Sequence, residues 1–312
     1  MMKYKKRRFV PGEGMHVYQR SVYGQMIFYD LEDFLVYYMI FSVYARMYGV
    51  KIMEMCMMPN HTHTLLVSDE IEKISSFMRH YSSVFVREYN DDVGRRGPLF
   101  HKSFGSAPKK GAKSIRSTIV YIGNNPVEKG LSQTADGYRW NFLTYMKRKL
   151  AGHSIPLRAL NSKLQRAFKY VSSACSRSRY LNYEQLRKLM RDLPKSDIEI
   201  LTDHIIMTYF PFDVDALLSF YQSYEDMIHA MHSTSGNEYD IREEYTSDPD
   251  TVYRKMISVL KAKGIIGEGE QVRKITMLPT DEKYKIAHLL RCETDAHLNQ
   301  IARFLHMPVL KL

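Results

Sequence analysis

Cysteine is scarce in this chain. Cys56, Cys175 and Cys292 are the only three in 312 residues, far apart and odd in number. That excludes a disulfide framework and a zinc-finger spacing, and it suits a reducing compartment, so a cytoplasmic location is expected. Long apolar runs are missing too. None approaches the ~20 residues that a membrane span needs, so no membrane partner is expected. The first residues, among them Lys3, Lys5, Lys6, Arg7 and Arg8, are basic but lead into no apolar stretch. They do not read as a secretory signal. There is no internal repeat, no low-complexity tract and no glycine-rich phosphate loop, which argues against nucleotide-driven chemistry. Tryptophan occurs once, as Trp140, and is expected to close the core of the first structural unit.

What is present is enough for sizeable cores, with 45% hydrophobic and 12% aromatic residues. The length favours two domains, placed at 1–150 and 151–312. Lys and Arg exceed Asp and Glu by 45 to 34, a net charge of +11. In residues 1–150 the counts are 23 and 13, against 22 and 21 in the remainder. Nearly all of the excess therefore sits in the first half. A one-sided basic surface favours a polyanionic partner, and nucleic acid is the commonest.

Alternation and β-forming residues predict strands over Met15–Val22, Val50–Met57, His61–Val67 and Leu99–Phe104. Helices are predicted over Leu31–Tyr48 (capped by Asp30 and Gly49), over Asp69–Asn90 behind Ser68, and over Lys113–Asn124 ahead of Pro126. Residues 105–111 read as a loop. The order strand, helix, strand, strand, helix, strand, helix is the split β-α-β pattern of a ferredoxin-like α+β domain with an antiparallel sheet. From about residue 150 the pattern is all-α. Its helices are predicted over Ser162–Ala174, Tyr183–Asp192, Ser196–Tyr209, Val214–His232, Pro249–Lys263, Asp281–Arg291 and Ala296–His306. The last two, joined by residues 292–295, have the connection length of a helix-turn-helix; a plain helical hairpin is the alternative.

Two stretches carry chemistry. In Met58-Pro59-Asn60-His61-Thr62-His63 the histidines stand two apart on a strand, so both imidazoles share a face. Such a pair is half of a metal site or, equally, a solvated pair on an exposed face. In Tyr121-Ile122-Gly123-Asn124-Asn125-Pro126-Val127-Glu128-Lys129-Gly130-Leu131, Tyr121 and Asn125 are one helical turn apart and share a face. By itself such a tyrosine is better explained by a core position.

Together, and in this order in a basic domain, the two stretches resemble the HUH single-strand DNA transposases with one catalytic tyrosine, especially the REP-associated tyrosine transposases. Arg20 after the first strand and Arg96-Gly97-Pro98-Leu99-Phe100-His101 add to the resemblance, which spans about residues 10–145. It implies that His61, His63 and Asn125 bind a divalent metal, Mg²⁺ or Mn²⁺. It also implies that Tyr121 attacks a phosphodiester of single-stranded or hairpin DNA, leaving a 5′-phosphotyrosine and a 3′-hydroxyl. Arg20, Arg96, Lys102, Lys109, Lys110, Arg116 and Lys129 are the expected DNA contacts. Relatives act as monomers or as homodimers, and both states stay open here. One departure stands out: the middle residue of the histidine motif, usually bulky and hydrophobic, is Thr62. A domesticated DNA- or RNA-binding protein without cleavage is the rival reading, and a metal-dependent nuclease without a covalent intermediate is a third.

Overall fold

The computed structural model describes residues 8–101, 104–152, 156–233, 249–267 and 269–308. Its N-terminal part is built as β1 Gly14–Arg20, α1 Leu31–Tyr48, β2 Lys51–Met58, β3 His61–Val67, α2 Ile71–Val93, β4 Gly105–Lys109 and α3 Gly111–Glu128. The four strands form one antiparallel sheet in the order β2-β3-β1-β4. That is the expected ferredoxin-like α+β arrangement. α1 and α2 pack against each other on one face, and α3 lies against β2, β3 and β4.

The fourth strand is not where alternation placed it. Leu99 and Phe100 are buried plugs of the core, and Phe100 makes a single bridge to Ser21. The strand itself is the following segment, Gly105-Ser106-Ala107-Pro108-Lys109. Pro108 is tolerated there because β4 is an edge strand, so its missing N–H is not needed by a neighbour. Gly105 is required because it lies across from Tyr18, whose ring would be only 2.0 Å from a β-carbon at 105. Pro126 does not stop α3 either; the helix runs on to Glu128, keeping Tyr121 and Asn125 in register. Ser68 does not cap α2, whose N-cap is Glu70; its hydroxyl instead closes a local turn with Glu70.

The rest of the described chain is helical: α4 Leu143–Leu150, α5 Ser162–Ser176, α6 Tyr183–Met190, α7 Lys195–Thr208, α8 Val214–Leu218, α9 Tyr224–Ser233, α10 Thr251–Ala262, α11 Thr280–Glu293 and α12 Leu298–Leu305. A single helix over Val214–His232 is not formed, because residues 219–223 break it into α8 and α9. These helices explain why α1 is apolar nearly all round. It packs on α2 and β2, and also on α6 and α7. Trp140 stacks on Phe34 of α1 at 4.4 Å between ring centres, closing that core as expected.

A second cluster of buried side chains joins Met26 and Tyr29 to α10, α11 and α12. Between the two clusters lies a buried cation. Arg273, 1% exposed, pairs with Asp33 of α1 and Asp92 of α2, and its guanidinium sits 3.7 Å from the centre of the Tyr183 ring. Asp92 is also held by Arg187 of α6.

Candidate active site

Strand register assembles the site before any side chain is considered. In the β1–β3 ladder Arg20 lies opposite His61 and Tyr18 opposite His63, so these four share one face of the sheet with His16. On the adjoining strand Met58, Cys56 and Glu54 extend the same face. α3 covers it and brings in Tyr121 and Asn125.

His63 is fully buried at the centre. Its Nδ1 lies 3.1 Å from Nε2 of His16, and its Nε2 lies 3.4 Å from Nδ2 of Asn125. The His61 ring stands nearly perpendicular to it, with centres 4.9 Å apart, and His61 Nδ1 lies 2.7 Å from Oδ1 of Asn60. Tyr121 meets His63 edge-on at 5.4 Å and His16 at 5.8 Å. Its ring is 2% exposed. Burial, reinforced by the charge of Arg20, pushes the His63 imidazole down to about 3, so it stays neutral across the physiological range.

A divalent metal fits this donor set. His61 Nδ1 donates to an amide oxygen, which places that ring's coordinating lone pair on Nε2, while His63 has a neighbour at each ring nitrogen. Asn125 Oδ1 is buried and has no hydrogen-bond partner among the described residues, so its oxygen suits a place in such a donor set. Two imidazoles and one amide oxygen suit Mn²⁺ better than Mg²⁺, which prefers an all-oxygen shell. Among the described residues no group of three or more His, Cys, Asp or Glu forms a metal-binding cluster, so an amide has to complete any such set.

Thr62 points the other way. Its hydroxyl is 3.2 Å from Tyr37 Oη, which donates to Tyr81 Oη at 3.0 Å, and Tyr81 donates to Gln19 Oε1 at 3.1 Å. The polar residue in the motif therefore belongs to a buried hydroxyl chain beneath the sheet, where its hydrogen bond is satisfied. Its departure from a hydrophobic type leaves the histidine face untouched.

The expected DNA contacts are scattered. Arg20 joins the site directly, its guanidinium 5.5 Å from the Tyr18 ring centre. Arg96, Lys110 and Arg116 are on the surface, and Arg116 lies over Tyr221 at 5.0 Å. Lys109 and Lys129 are each only 8% exposed, so the structure does not place them with the surface cations. Lys102 lies outside the described residues. His16 is the member of the site that motif reading passed over. Its signal was the alternation His16-x-Tyr18-x-Arg20, which repeats on β1 the two-residue spacing of His61 and His63.

Residues 15–125 match the family model described as transposase, IS200-like. Among solved structures, one described as a REP-associated tyrosine transposase bound to a REP hairpin superposes on 46% of this chain and 84% of its own, with 16% identity and a TM-score of 0.38. None of the curated proteins matches the chain.

Proposed function

We propose, from the match of residues 15–125 to the family model described as transposase, IS200-like, that the chain carries an HUH-type domain there and cuts and rejoins single-stranded or hairpin DNA through Tyr121. The observation that carries this reading is the convergence of Tyr121 and Asn125, one turn apart on α3, on the buried His63 of β3.

The phenol of Tyr121 attacks phosphorus, forming an O–P bond as the bond to the 3′-oxygen breaks. The strand is left with a free 3′-hydroxyl and a 5′-phosphotyrosine. The phenolic proton goes to solvent, and the departing 3′-oxygen takes one up. A 3′-hydroxyl from another end then attacks the phosphotyrosine, restoring a phosphodiester and the free tyrosine. The bond energy is conserved in the covalent link, so no nucleotide is consumed. A phenol with an ordinary pKa of ~10 is a poor nucleophile unless it is held in line and the phosphate charge is offset. His61, His63 and Asn125 would hold Mg²⁺ or Mn²⁺, which when bound polarises the phosphate and stabilises the charge that develops on it. Arg20, opposite His61, supplies a fixed positive charge beside the same phosphate.

Burial of Tyr121 gives this reading a requirement: DNA entry has to uncover its hydroxyl. It also favours the second reading, a protein that keeps the fold and binds nucleic acid without cutting it. One experiment separates them. The full chain is incubated with labelled hairpin DNA and Mn²⁺, and a denaturation-resistant protein–DNA adduct is sought. The proposal expects an adduct that disappears in Tyr121→Phe. An adduct that survives the substitution sinks the nucleophile assignment. Cutting with no adduct supports a metal nuclease, and binding with no cutting supports the second reading.

A further inference from the structure

One large aromatic stands out on the described surface. Tyr23 is 81% exposed, the most of any large hydrophobic side chain described. Its backbone is left-handed, at φ 57°, which disfavours a bulky residue. The chain thus accepts local strain to turn this ring outward, and strain of that kind collects at binding sites.

The turn that carries Tyr23 is tied down on both sides. Towards the histidine motif, Ser21 N–H donates to Asn60 O at 2.9 Å, and Asn60 Nδ2 donates to Gly24 O at 3.1 Å. Asn60 is the residue before His61. Towards the C-terminal helices, Met26 N–H donates to Arg303 O at 3.2 Å, and His306 Nε2 donates to Met26 O at 2.6 Å. Between these anchors lies a cavity of about 610 Å³, lined chiefly by Tyr23, Gln25, Asn299, Arg303, His306 and Met307. The lining offers an aromatic face, two amides, a guanidinium and an imidazole, with no carboxylate among the described residues that form it. That set repels nothing anionic. It matches a flat heterocycle with donors and acceptors on its edge and a phosphate attached.

We propose that this cavity takes one unpaired nucleobase of the DNA strand that passes His61. The base stacks on Tyr23, its edge meets Asn299 and Gln25, and Arg303 holds the adjoining phosphate. The volume lies within the ~300–1,000 Å³ of sites that enclose a small ligand. Aromatic stacking with an arginine beside it is how unpaired bases are gripped without a duplex. Asn299, Arg303 and His306 belong to α12 and its cap, beyond the matched residues 15–125. The C-terminal helices would thereby complete a DNA site that the transposase domain begins. The proposal rests on the reading that this domain acts on single-stranded DNA.

Its test needs no cleavage. In the full-length Tyr121→Phe background, affinity for a labelled single-stranded oligonucleotide and for a blunt duplex is measured by fluorescence anisotropy. Tyr23→Asn removes the ring while suiting the left-handed backbone; Tyr23→Phe keeps the ring. Single-strand affinity is expected to fall about 5- to 100-fold in Tyr23→Asn and to stay near the parent value in Tyr23→Phe. Arg303→Gln should weaken binding and lower the salt slope by about 0.7. An oligonucleotide carrying 2-aminopurine should lose fluorescence on binding the parent and keep it with Tyr23→Asn. Unchanged affinity in Tyr23→Asn overturns the proposal, as does an equal loss in Tyr23→Asn and Tyr23→Phe, or an equal loss on duplex. If the wild-type chain forms no adduct but Tyr23→Asn still loses single-strand binding, the cleavage reading fails and this one stands. If adducts form and Tyr23→Asn binds like its parent, the reverse holds.

Discussion

Glu54 offers a quantitative check on the interior beneath the histidines. It lies on β2 on the face shared with His61 and His63, is fully buried, and has no hydrogen-bond partner among the described residues for either carboxylate oxygen. Burial pushes its carboxyl well above the usual range, so the folded chain holds it protonated. In the unfolded chain the group ionises above about pH 4.3. The folded state then binds the extra proton, so stability is complete below that value and falls as pH rises. The slope is about 1.4 kcal/mol per pH unit for as long as the folded group stays protonated. Between pH 5 and pH 8 the wild type should therefore lose stability, and its Tm should fall, as pH rises. Glu54→Gln copies the protonated acid in shape and removes the titration. Thermal unfolding of both proteins across that range is expected to give coincident curves at the acid end and a more stable variant at the alkaline end. A difference that does not change with pH, or a wild type that is the more stable at pH 8, would refute the reasoning.

Three further outcomes can be measured directly. His16→Phe removes the partner of His63 Nδ1 at roughly constant volume, so Mn²⁺ affinity should fall about 10- to 100-fold with the fold intact; a Mn²⁺ titration of adduct formation reads the shift, and an unchanged half-saturation point would contradict it. Thr62→Val deletes the hydroxyl bonded to Tyr37 on the far side of the sheet. It should cost about 1 kcal/mol in denaturant unfolding and leave adduct formation near wild type, whereas a large loss of activity would show that the hydroxyl chain reaches the site. Arg273→Met leaves Asp33 buried without its cation, at an expected cost of about 3–5 kcal/mol; unfolding that stays within 1 kcal/mol of wild type would show the cluster to be energetically idle.

Which features could be read without coordinates follows from how local their causes are. α1 and β3 begin and end where capping residues and alternation put them, because an N-cap at Asp30, a left-handed Gly49 and a period of two act within a few residues. The histidine face was legible for the same reason. β4 was not, since Gly-Ser-Ala-Pro-Lys has weak strand propensity and is ordered by what lies across from it. Gly105 accepts the Tyr18 ring, and Pro108 stands on an edge.

Thr62 and His16 show the same limit inside the site. Read along the chain, Thr62 is a flaw in a motif; across the sheet it is one end of a hydroxyl chain that runs through Tyr37 and Tyr81 to Gln19. His16 stands 47 residues from His63 and matters only because β1 is laid beside β3 in one register. A slip of one residue would turn His16 and Tyr18 to the opposite face and replace them with Val17 and Gln19. The partner of His63 is therefore specified by strand pairing. That pairing is secured at its far end by the apolar contacts of Met15 and Val17, both 1% exposed, on the face away from the histidines. The geometry around His63 and the packing beneath the sheet are in that sense one constraint. Substitutions at Met15 or Val17 that loosen the register should weaken the site without touching it.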